Sequence, residues 1–72
     1  MARDICVALG ERIRDLRTAR GWRQIDLAEQ AGFHENYISN LELGDRDICL
    51  RKLQSLARAF DMNIVQLFEG VE

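Results

Sequence analysis

Apolar residues recur along this chain at helical intervals. Ile5, Leu9, Ile13 and Leu16 follow one another at steps of four, four and three, the spacing that lines one face of an α-helix. Arg12, Arg14, Asp15, Arg17 and Arg20 fill the other faces, and Gly21 followed by apolar Trp22 closes such a helix. The pattern predicts a first helix over residues 4–20. A shorter stripe, Leu27, Ala28 and Ala31, marks a second over 24–31, with Asp26 in its first turn against the positive helix end. Ile38 and Leu41 mark a third over 35–43, ended by Gly44, and residues 44–47 read as a turn. Leu50, Leu53, Leu56, Ala57 and Phe60 give a strong fourth helix. Asn63, with Gln66 three residues on, reads as a capping box with Asn in place of Ser or Thr. It opens a short fifth helix through Ile64, Leu67 and Phe68. Strand-like alternation is absent. The expected fold is all-α, with five helices on one core and the apolar rows at 5–16 and 50–60 inside it. A length of 72 residues fits one domain, 1–72.

The second and third helices meet at a tight corner formed by Gly32, Phe33 and His34. A plain helical hairpin would need only the glycine. Here Ala28 is small where the second helix must approach the third closely, and Gly32 permits the positive φ of a sharp exit. Ile38 is a branched wedge that sets the crossing, while Leu27 and Leu41 anchor each helix to the core. This spacing points to a helix-turn-helix over residues 24–43. A crossing of about 90–120° holds one helix across a nucleic-acid backbone and projects the other into a groove.

Charge changes this picture only through its distribution. The net charge of −2 argues weakly against nucleic acid, but residues 1–25 carry six arginines against three acids, +3. Residues 26–47 carry one arginine against six acids, −5. A DNA-facing surface must therefore be assembled by folding from separated arginines. Cys6 and Cys49 lack a Cys-x-x-Cys spacing and His34 has no neighbouring ligand set, so no metal site is expected and both thiols should stay reduced. No convergent acid, base or nucleophile set points to an enzyme, and no cofactor is implied. No apolar run reaches membrane length and no signal-peptide core opens the chain, so the expected location is the cytoplasm.

The segment "IRDLRTARGWRQIDLAEQAGFHENYISNLELGDRDICLRKLQSLARAF", continued by "NIVQLF", strongly resembles the phage-repressor or Xre-type helix-turn-helix family. The resemblance covers residues 9–68, with Gln24, Ala28, Gly32, Ile38, Leu41, Glu42 and Gly44 in register. The single-domain length and "NYISNLE" also resemble the small controller proteins of restriction–modification systems. The resemblance implies a lambda-repressor-like five-helix domain and a transcriptional regulator that binds double-stranded DNA sequence-specifically. It further implies that Gln24, Tyr37 and Arg46 contact phosphate, and that Glu35, Asn36 and Asn40 meet base edges. Asn suits adenine N6/N7 and Glu can accept from cytosine N4. Arg17 and Glu42 would form an ion pair tying the first helix to the end of the third.

Some positions depart from the family pattern. Arg23 and His34 stand where capping hydroxyls are usual, so both helix starts should lose a side-chain acceptor. Leu43 and Asp45 occupy places often basic, and Glu35 brings an acid toward DNA, which lowers the nonspecific electrostatic term. One recognition helix spans few base pairs, so a homodimer on inverted half-sites about one helical turn apart is implied. Ile64, Val65 and Phe68, with the outer face of the fourth helix, are the expected interface, and core packing is the competing reading for Ile64 and Phe68. A different class also fits the −5 stretch and Leu43: a helical interaction module, antitoxin-like or an anti-regulator, with weak DNA affinity.

Overall fold

A computed structural model describes residues 3–71; residues 1, 2 and 72 of the expected domain lie outside that range. The chain forms α1 (Ile5–Ala19), α2 (Gln24–Ala31), α3 (Glu35–Glu42), α4 (Leu50–Ala59) and α5 (Ile64–Leu67). No strand occurs among the described residues. Local chemistry closes several of the helix ends. α1 opens on Asp4, whose carboxylate accepts from the Cys6 and Val7 amides. It ends where the Trp22 amide reaches back to the Arg17 carbonyl at 3.1 Å, the Schellman arrangement. α4 ends the same way without glycine: Asp61 takes φ 58, and the Met62 amide bonds the Ala57 carbonyl at 2.9 Å. Asp is among the few residues that tolerate this backbone. α5 opens on the reciprocal Asn63–Gln66 box, at 2.8 and 2.9 Å.

The start of α2 is better closed than its sequence implied. Arg23 offers no acceptor, but the Asp26 carboxylate accepts from the Arg23 amide at 2.8 Å and from its guanidinium. Those bonds, the guanidinium's above all, hold the Asp26 carboxyl below its ordinary pKa. At α3 the expected loss stands, because His34 supplies no side-chain cap.

Every helix feeds one core: Leu9 and Ile13, Leu27 and Ala28, Ile38 and Leu41, Leu56 and Ala57, and Leu67, with Phe60 from the end of α4. The two expected apolar rows overrun it. Ile5 is 50% exposed and Leu50 71%, because each is the first residue of its helix and its stripe extends past the layer of neighbours that covers the rest. Gly10, which apolar spacing passes over, decides how closely α1 approaches α3. A Cβ at this position would stand 2.5 Å from the Leu41 carbonyl oxygen and 2.7 Å from that of Glu42. The end of α3 therefore sits against the bare backbone of α1.

Candidate nucleic-acid interface

The corner between α2 and α3 is built as its sequence demands. Gly32 takes φ 78, and the Gly32 and Phe33 amides both bond the Ala28 carbonyl at 2.9 Å. Ala28 is buried, as are Leu27, Ile38 and Leu41, so the inward sides of both helices are fully used. The rest of α3 faces outward: Glu35 and Asn36 are exposed and Asn40 is half-buried. Asn36 and Asn40, at i and i+4, share the side away from Ile38 and Leu41, and Glu35 lies at its edge.

The far end of α3 is fixed by a polar cluster. Glu42 accepts from Arg17 Nε at 2.6 Å and Nη2 at 3.1 Å, a two-point contact that planar guanidinium geometry favours. Arg17 Nη1 also donates to the Trp22 carbonyl at 2.8 Å, and Gln24 Nε2 donates to Glu42 at 3.2 Å. The side chains of Arg17 and Glu42 are only 12% and 5% exposed. The hydrogen bonds to Glu42 raise the Arg17 pKa above its ordinary value. One cluster thus joins α1, the turn after it, the start of α2 and the end of α3. It also draws one N–H of Gln24 inward, leaving the other as a donor.

Residues 13–67 match the helix-turn-helix family. The chain belongs to that family. Over 64 residues it is 44% identical to the HTH-type transcriptional regulator DdrOP3 of Deinococcus deserti, a match covering 89% of this chain and 50% of that protein. It is 34% identical over 64 residues to the control protein C.SmaI of Serratia marcescens, covering 89% of this chain and 76% of that protein. The solved structure of the restriction–modification controller protein C.AhdI from Aeromonas hydrophila is 38% identical. It superposes with a TM-score of 0.84 across 88% of this chain and 96% of that one. The chain thus spans about half the length of the first relative.

In this helix-turn-helix protein the N-terminal arginines are largely taken up by the fold. Arg12 donates to the Leu67 and Gln66 carbonyls at 3.1 and 2.8 Å, holding the end of α5. Arg20 bonds the Phe60 carbonyl at 2.6 Å and lies over the Phe60 and Trp22 rings, which stack on each other. With Arg17 on Glu42, a cation that does reach the corner is Lys52, which shares a hollow with Gly32, Phe33 and His34. Lys52, which charge counting does not single out, sits over the Tyr37 ring at 4.4 Å. Tyr37 is itself half-buried, edge-on to Phe33 at 5.2 Å.

The α5 surface divides the three residues expected at an interface. Ile64 and Phe68 pack against the core, whereas Val65 is 81% exposed. Exposed Leu50 lies beside Ile64 in a shallow hollow with Arg51 and Gln54. Leu43, just past α3, is 67% exposed. Among the described residues no His, Cys, Asp or Glu cluster could hold a metal ion, and no helix is long and apolar enough to cross a membrane.

Proposed function

We propose that this protein is a cytoplasmic, non-catalytic transcriptional regulator that binds double-stranded DNA sequence-specifically as a homodimer on inverted half-sites. The observation that carries this reading is α3 itself. Its inner face is buried through Ile38 and Leu41, its start is set by the Gly32 corner, and its end is clamped through Glu42. A short helix held at both ends, with polar residues on its free side, is what reading base edges in a major groove requires. The transcriptional-regulator and control-protein relatives support it.

In this reading Asn36 and Asn40 pair with adenine and Glu35 accepts from cytosine. Gln24, Tyr37 and Arg46 hold phosphates and fix the register. Val65 forms the centre of the dimer contact, with Ile64 and Phe68 supporting it from the core side. Selection of bound duplexes from a random pool at two salt concentrations tests the proposal. Enriched inverted repeats whose affinity falls with salt support it. No retention even at low salt would overturn it in favour of an interaction module.

A further inference from the structure

The corner residues Gly32, Phe33 and His34, together with Tyr37 and Lys52, line an open hollow of about 390 Å³ beside α3. Lys52 reaches it from another helix, α4, and holds its Nζ 4.4 Å from the centre of the Tyr37 ring. That ring is half-buried and braced edge-on by Phe33, so it presents a fixed π face on which an ammonium rests at favourable electrostatic energy. Burial, then Cys49, pushes the Tyr37 pKa up, and the positive charge of Arg46 pulls against that shift. Among the described residues no carboxylate lines the hollow. Among the described residues Lys52 enters no ion pair, unlike Arg17 and Arg23.

These observations resolve a difficulty in the charge pattern. The stretch 26–47 carries −5 and contains the whole of α3, yet the hollow beside Tyr37 is lined by the cation Lys52 of α4. We infer that Lys52, held over the Tyr37 ring, is a DNA backbone-phosphate contact that extends the binding surface from the helix-turn-helix onto α4. The inference rests on the DNA-binding reading above. A compact ammonium suits a phosphate oxygen as a point charge. A strand whose bases meet α3 must carry its backbone past the flanks of that helix. An acidic protein segment would satisfy the same charge, but the hollow adjoins the side of α3 assigned to bases.

The test uses a duplex selected by the wild-type protein and an unrelated duplex of equal length, each titrated over a range of salt. Lys52→Met keeps the aliphatic stem on Tyr37 and removes the charge; Lys52→Arg keeps the charge. The expected result for Lys52→Met is a similar fold-loss on both duplexes and a salt slope shallower by about 0.9, the share of one phosphate. Lys52→Arg should retain the wild-type slope. Urea unfolding of each variant, with Lys52→Gln in reserve, establishes that the proteins compared are folded. An unchanged slope in folded Lys52→Met, with wild type binding normally, overturns the Lys52 assignment and leaves the DNA-binding reading standing. So does a loss confined to one base pair. A wild-type protein that retains no duplex at low salt removes both.

Discussion

Glu42→Gln removes the charge at the centre of the cluster that fixes α3 while preserving its shape. Two unit charges about 4 Å apart attract by about 4 kcal/mol at an effective dielectric near 20, whereas a fully exposed pair contributes about 0–1 kcal/mol. With side chains 12% and 5% exposed, this pair lies close to the buried limit. There, stranding one partner costs about 3–5 kcal/mol. Two details place the expected loss at the low end. Arg17 keeps the Trp22 carbonyl as a partner, and removing an acid from a helix C-terminus returns about 0.3–1 kcal/mol through the dipole. We expect Glu42→Gln to lose about 3 kcal/mol, out of a total of about 4–11 kcal/mol at ~0.05–0.15 kcal/mol per residue. Arg17→Met, which keeps most of the stem's volume, should lose a similar amount. The double variant strands no charge, so it should lose far less than the sum. The assay is urea unfolding followed by far-UV circular dichroism on all four proteins, with a common m value. A coupling energy of about 2–3 kcal/mol is expected. A value under about 0.5 kcal/mol would refute the claim that this pair holds the recognition helix.

Gly10→Ala should lower the urea midpoint although alanine favours helix by about 1 kcal/mol, because the new methyl meets two backbone carbonyls and overpacking costs about 1–3 kcal/mol; a raised midpoint would contradict that close approach. Val65→Asp, at a side chain 81% exposed, should leave unfolding within about 0.5 kcal/mol of wild type while sedimentation shows the monomer. A persistent dimer would dismiss the α5 interface. The Cys6 thiol donates to Asp47 at 3.5 Å, and that bond, then burial and the nearby Asp4 and Asp47 charges, raises its pKa. A raised pKa means less thiolate at a given pH, so iodoacetamide at pH about 8 should modify exposed Cys49 first, and Asp47→Ala should speed the reaction at Cys6. Equal rates at both thiols would count against this.

Apolar spacing carried most of the architecture. The helices, the corner at Gly32 and the inward residues Ile38 and Leu41 follow from intervals that a chain shows directly. What spacing does not carry is where a stripe stops being covered, and so Ile5 and Leu50 were expected inside. Gly10 was silent for a related reason: its meaning depends on the Leu41 and Glu42 carbonyls opposite it, which belong to a distant helix. Charge was the least legible property. Arginines look alike in sequence whether they hold carbonyls, as Arg12 and Arg20 do, pair with a half-buried acid, as Arg17 does, or face solvent. Counting arginines therefore overstates the pool free for DNA contact, and sequence is silent on Lys52 because only packing of α4 brings it to Tyr37. The family resemblance supplied roles for Gln24 and Glu42 separately, but not the hydrogen bond between them.

That α3 reads bases through Asn36 and Asn40 is tested most directly by repeating the duplex selection with Asn36→Ala and Asn40→Ala beside the wild-type protein. Each variant should enrich an inverted repeat that has lost its preference at one symmetric pair of positions, with affinity for the wild-type site reduced by about 1–3 kcal/mol per lost base contact. Both variants enriching the wild-type sequence at undiminished affinity would contradict the assignment of base recognition to this face of α3.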